Sequence, residues 1–177
     1  MNYLLRGIGV VAAVGVISLL AFSLPSPSGE ARGDGGGEVL PRLTHKAWQQ
    51  ECASCHIAYA PAFLPKASWR RVMGGLDQHF GENASLDPAT QADILRFLEA
   101  NAADAGTSQM GNRVMRSMGA KDAPMRITET RWFVRKHDEV SRAVWSRKSV
   151  GSAANCAACH RQADQGVFNE DAVRIPK

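Results

Sequence analysis

All four cysteines and two of the five histidines fall into two copies of one pattern, Cys52-Ala53-Ser54-Cys55-His56 and Cys156-Ala157-Ala158-Cys159-His160. In a C-x-x-C-H unit the two thiols are spaced to form thioether bonds to the two vinyl groups of one haem. The histidine that follows is placed to ligate the iron on one face. With no cysteine left over, the chemistry indicated is covalent attachment of two haem c groups. One is held through Cys52 and Cys55 with His56 as proximal ligand, the other through Cys156 and Cys159 with His160.

Other cysteine chemistries fit less well. A structural zinc site pairs C-x-x-C units about 15–20 residues apart, whereas Cys52 and Cys156 are separated by 104 positions, and zinc leaves the adjoining histidines without a purpose. A redox-active dithiol needs a strand–helix setting, for which no pattern is visible. A disulfide across two residues closes a strained loop.

The opposite face of each iron needs a ligand or stays open. His45, His79 and His137 are the remaining histidines, and Met73, Met110, Met115, Met118 and Met125 are the methionines after the first motif. His79 and His137 lie on or beside the apolar stripes of expected helices, among aromatic residues, where an imidazole facing a haem-containing core is a ligand. Seven helical residues before Cys52, about 10 Å of rise, His45 is awkwardly placed for the adjoining iron. It could reach the other haem or stack on a porphyrin edge. Met118, in a weakly periodic stretch, is the methionine alternative. Two histidine ligands give a lower potential than histidine with methionine, and a filled sixth position blocks gases and peroxide.

The elements that must position these residues read as helices. Thr44 is a candidate N-cap for a helix carrying His45, Trp48 and Cys52 on one face, ended by the first motif. The prolines of Ile57–Pro65 suggest an irregular loop apt to lie against a haem edge. Ser68 is expected to cap a second helix with Trp69, Met73, Leu76 and Phe80 as its stripe, Val72 and His79 beside it, and Gly81 as its stop. Asp87-Pro88 opens a third helix, buried along Ile94, Leu95 and Leu98. Periodicity is weak from Ala105 to Thr128, with a short helix possible around Val114, Met115 and Met118, and a boundary between two haem domains, 41–104 and 105–177, is expected there. Thr130 or Thr128 caps a further helix on which Phe133, His137, Val140 and Val144 recur, flanked by Trp132 and Trp145. Only 17 residues follow His160, so cover for the second haem is expected chiefly from upstream. The fold class is mainly α.

The 177 residues suffice for one ordinary domain or two small ones. At 7% aromatic content the core is thin unless the haems supply apolar planes to pack around. Met1–Arg6 followed by the uncharged run Gly7–Leu24 has the chemistry of a secretory signal, and the run also nears the lower limit of a membrane anchor. Either way residues 1–24 place the body outside the cytoplasm, in the periplasm, and residues 25–40 form a flexible leader, rich in Pro, Ser and Gly from Pro25 to Glu38.

Formal net charge is +4, but charge is segregated: six acids against Arg96 alone between Asp77 and Asp104, and ten Lys/Arg against four acids between Arg113 and Lys148. Such a dipolar molecule suits steering onto a redox partner. Nucleic acid is a poor fit, because the basic stretch lacks interleaved aromatics and the chain is exported.

The runs E-C-A-S-C-H-I-A-Y-A-P from Glu51, L-P-K-A-S-W from Leu64 and H-F-G-E-N-A-S-L-D from His79 resemble the exported dihaem cytochrome c family. R-I-T-E-T from Arg126, W-F-V-R-K-H-D-E from Trp132, N-C-A-A-C-H from Asn155 and R-I-P at Arg174 extend the resemblance from about Trp48 to the C-terminus. It implies a small periplasmic electron carrier with two low-spin, bis-histidine haems. His79 and His137 would be the distal ligands, His79 serving the first haem and His137 the second. The N-terminal half would be like a small cytochrome c and the C-terminal half less regular. A membrane cytochrome b and another small c-type cytochrome would be the partners.

The expected function is therefore single-electron transfer without bond chemistry. The rival is a dihaem peroxidase or gas-binding haem enzyme with one open iron and Glu139 or Asp138 as acid/base group. A haem module docked permanently in a respiratory complex is a third reading, favoured if Gly7–Leu24 is a retained anchor.

Overall fold

The computed structural model describes residues 40–119 and 122–177, all within one compact unit. The signal or anchor and nearly all of the leader lie outside the described residues. Among the described residues no helix is long and apolar enough to cross a membrane. The protein is mainly α, as expected; among the described residues strand-like pairing is confined to isolated bridge residues, His79 with Glu82 and a further one at Val167.

Helix α1 (Lys46–Cys52) is capped by His45 rather than Thr44: the His45 imidazole accepts from the Trp48 N–H at 3.1 Å. Helix α2 (Lys66–Met73) begins two residues before the expected cap. Its first N–H donates to Asp104, 38 positions away, at 2.9 Å. Ser68 thereby becomes an interior residue, fully buried, with no partner for its hydroxyl among the described residues. The helix also ends early. Gly74-Gly75 stops it, since each interior glycine costs about 1 kcal/mol relative to alanine, and the Gly74 N–H closes the last turn on the Arg70 carbonyl at 2.8 Å. The expected stripe therefore breaks after Met73. Leu76–Gln78 form a 3₁₀ turn, His79 follows it, and Phe80 takes a left-handed conformation (φ 54°) with 44% of its surface exposed.

Helix α3 (Pro88–Ala100) starts as Asp87-Pro88 predicts, with the Asp87 carboxylate accepting from the Ala89 and Thr90 N–H groups. It buries Ile94 and Leu98 against Trp48, Trp69 and Met73, each aliphatic side chain contributing about 1.5–3 kcal/mol. Helix α4 (Gln109–Arg116), capped by Ser108, gives the weakly periodic stretch its order by burying Met110 and Val114 with Leu40, Phe63 and Ala103. Gly111 makes the approach possible, since a Cβ there would sit 2.6 Å from the Ala103 carbonyl oxygen. Of the expected irregular loop Ile57–Pro65, residues 57–60 are irregular whereas Pro61–Phe63 form a 3₁₀ turn, and 61–65 are buried: the Leu64 carbonyl accepts from Ala103 N–H and the Pro61 carbonyl from the Trp69 indole.

Thr130 caps α5 (Arg131–Lys136), as expected, but that helix is short. The pattern running on to Val144 is interrupted because Asp138 and Glu139 would place acids at the negative end of the helix dipole, whereas Arg135 and Lys136 suit it. The chain restarts as α6 (Arg142–Trp145). From there it proceeds largely through single 3₁₀ turns to the end, where Arg174 N–H donates to the Cys159 carbonyl at 3.0 Å and Phe168 packs on Phe63.

Candidate haem-binding sites

The first motif emerges from the last residue of α1. The Ser54 hydroxyl donates to the Glu51 carbonyl at 2.8 Å, bending the chain so that Cys55 and His56 leave the helix axis. His56 Nδ1 lies 2.7 Å from the Ile57 carbonyl oxygen. A carbonyl can only accept, so Nδ1 carries the proton and Nε2 is left with a lone pair for a metal. The rings of His56 and His79 face each other with centroids 6.3 Å apart and planes 27° apart. Burial chiefly, with the His56 and Arg126 charges added, pushes the His79 pKa down and favours the neutral, ligating form. Phe80 stands edge-on to His79, and the Arg126 guanidinium lies 3.9 Å above the Phe80 ring.

The second motif is a 3₁₀ turn, Cys156–Ala158, closed by His160 N–H donating to the Cys156 carbonyl at 2.8 Å. His137 caps the C-terminus of α5, and its Nδ1 lies 2.9 Å from the Phe133 carbonyl oxygen, which fixes the same tautomer as in His56. The His137 and His160 rings are 6.2 Å apart with planes at 79°. Phe133 stacks on His137 at 4.0 Å, Trp145 lies 5.9 Å away, and Phe168 meets His160 at 5.3 Å. Burial first, then the His137 charge, lowers the His160 pKa.

Two imidazoles bonded to one metal from opposite sides, each at about 2 Å, leave their ring centroids about 6 Å apart. Both pairs meet that spacing, and each stands beside one C-x-x-C unit, so the residues fit a haem iron in each site. Burial pushes the Cys52 and Cys156 thiols up to about 11, with the Glu51 charge adding to the effect at Cys52. No three His, Cys, Asp or Glu side chains converge as a metal cluster among the described residues.

The spare candidates are placed elsewhere. Both ring nitrogens of His45 are engaged, Nδ1 by the Trp48 N–H and Nε2 by Asp93 at 3.1 Å, and its ring stacks on Phe97 at 4.5 Å. It has no lone pair left for an iron. Met73 and Met110 are core residues, Met125 packs on the core around α3, and Met115 and Met118 pack on the cluster around Phe63. Tyr59 was not singled out by the sequence, yet it stacks on His56 at 4.6 Å and 25°. Burial first, then the nearby Cys156, pushes its phenol up to about 12.

Comparison with known proteins matches residues 48–168 to the family model described as dihaem cytochrome c. Among solved structures, a dihaem cytochrome c from Rhodobacter sphaeroides is 44% identical with a TM-score of 0.65, covering 71% of this chain and 98% of its own. A dihaem cytochrome c from Shewanella baltica is 38% identical with a TM-score of 0.62, covering 77% of this chain and 95% of its own. No curated protein matches the chain.

Proposed function

Because the chain belongs to the dihaem cytochrome c family and carries two covalently attached haem c groups, we propose that it is an exported one-electron carrier with both irons closed, His56 opposite His79 and His160 opposite His137. The observation that carries this reading is the pair of facing imidazoles, 6.3 and 6.2 Å between centroids, each beside its own C-x-x-C unit. Haem iron supplies one-electron cycling between ferric and ferrous forms. The chain's own residues determine how that cycling is used. Cys52, Cys55, Cys156 and Cys159 tether the groups, so they are not lost between partners. The Ile57 and Phe133 carbonyls hold His56 and His137 in one tautomer and orientation. Phe133, Trp145 and Phe168 exclude water around the second pair.

Export is directed by the Gly7–Leu24 run, and the place of work is the periplasm. The electron donor is a membrane cytochrome b and the acceptor a small soluble c-type cytochrome. The segregated acidic and basic stretches support a steered, short-lived encounter, with no bond chemistry at either iron. The test is the visible spectrum of the two-haem protein. Low-spin bands in the oxidised state and no rapid binding of carbon monoxide in the reduced state are expected. A high-spin band, or rapid carbon monoxide binding, would replace the carrier by a peroxidase or gas-binding enzyme.

A further inference from the structure

Tyr59 touches both haem sites, although its own motif is only the first. Its ring lies flat on His56, three residues back, at 4.6 Å. Its hydroxyl donates to the carbonyl of Ala154, 95 positions onward, at 2.7 Å. That carbonyl is not an ordinary loop group. It also accepts the N–H of Cys156 at 2.9 Å, and the intervening Asn155 has φ −81° and ψ 71°, the geometry of an inverse γ-turn. Both lone pairs of the Ala154 oxygen are thus used, one by Tyr59 and one by the residue that attaches the second haem. Asn155 fastens the same turn from its other side, its amide donating to the Val150 carbonyl at 3.0 Å. The result is a continuous route: the His56 imidazole, the Tyr59 ring, its O–H, the Ala154 carbonyl, and the Cys156 N–H.

We propose that Tyr59 is the positioning residue between the two haem sites, holding the second attachment turn against the first iron's ligand and carrying the electronic coupling between them. The inference rests on the reading of the protein as a two-haem electron carrier. The step it serves moves one electron from one iron to the other, oxidation of one matched by reduction of its neighbour. Tyr59 keeps its proton and is not itself oxidised. Hydrogen bonds in such a chain polarise one another, so the O–H to Ala154 stiffens the turn more than an isolated contact would.

The experiment compares the two-haem protein with Tyr59→Phe, which keeps the ring on His56 and removes only the hydroxyl, and with Tyr59→Leu, which removes both. After rapid photoreduction of one haem, the exchange of the electron between the haems is followed optically, and amide hydrogen exchange is read at Asn155 and Cys156. In Tyr59→Phe the two amides exchange about fivefold faster, the equivalent of one hydrogen bond, and electron exchange slows several-fold; in Tyr59→Leu it slows further. Low-spin spectra unchanged from the parent show that both irons remain closed. Electron exchange at the parent rate in Tyr59→Phe overturns the proposal, even if the amides loosen. If the unmodified protein shows no exchange between its haems at all, the coupling role of Tyr59 is overturned, while the carrier reading stands or falls separately on the low-spin spectrum and carbon monoxide binding. Should Tyr59→Phe not hold its second haem, the parent protein decides by NMR. A slowly exchanging Tyr59 hydroxyl proton with a cross-peak to the Cys156 amide supports the link, and a rapidly exchanging one without it overturns the link.

Discussion

The two histidine pairs share a spacing and a backbone carbonyl on one Nδ1 each, and differ in ring angle and surroundings. Around the first, the rings are within 27° of parallel, one neighbour is a cation, and the distal residue stands on a tight turn next to the left-handed Phe80. Around the second, the rings are near perpendicular at 79°, and the neighbours are Phe133, Trp145 and Phe168. Iron–nitrogen distances constrain ring separation, whereas the torsion of each ring and its surroundings are left to local packing. A chain can therefore repeat one attachment motif and still obtain two sites of different character. The near-parallel and near-perpendicular pairs should give two distinguishable low-spin electron paramagnetic resonance signals.

The comparison breaks most completely if a ligand is exchanged. His79→Met should raise the potential of the first haem and His137→Met that of the second, each by on the order of a hundred millivolts within the ~0.8 V that axial ligands span. Redox titration checks this, and a substitution that moves the other haem, or neither, removes that histidine from its pair. A smaller effect should come from Arg126→Gln. Loss of a positive charge beside the first site favours ferric iron, so only the first potential should fall, by roughly a few tens of millivolts and less at high salt. Equal shifts in both haems would deny the first site its separate electrostatics.

Acid should then act through both sites. In the folded chain His79 and His160 resist protonation, because burial lowers their pKa values and an iron held on Nε2 would leave no site for the proton. Below the ordinary value of 6.5 the unfolded chain binds protons that the folded one resists. Stability is full above that pH and declines as pH falls through and below it. Denaturant titrations between pH 8 and 5 should show this slope, and its absence in the double variant His79→Met/His160→Met would assign it to these two residues. Least of all, His45→Ala should leave both potentials untouched and cost about 1 kcal/mol of stability, the loss of an N-cap. Any change in spectrum would return His45 to the irons.

Local signals were legible in the sequence wherever one segment decides its own conformation. The C-x-x-C-H units, the Asp87-Pro88 start of α3 and the Thr130 cap of α5 are of that kind, as is the mainly α class. Reading failed where a distant residue intervenes or where breakers were outweighed by a pattern. Ser68 looked like a cap until Asp104 took that position, and His45 looked spare because Asp93, its partner, lies 48 positions on. Gly74-Gly75 was a visible stop signal, but the apolar spacing through Phe80 read across it. The interruption at His137 was signalled by Asp138-Glu139 following two basic residues. The bond from Tyr59 to Ala154 had no sequence signal, since only the tertiary fold brings those two positions together.

One detail of the two tautomers reaches further than orientation. The groups that receive Nδ1–H from His56 and His137 are backbone carbonyls, of Ile57 and Phe133. Unlike a carboxylate in the same place, an amide carbonyl neither gains nor releases a proton when the iron beyond the ring changes its charge. With iron held on Nε2 of these two residues, as proposed, the gain of an electron would have no protonic counterpart there. A carrier built in this way would hand on reducing equivalents at varying acidity without becoming, through those contacts, a proton carrier as well.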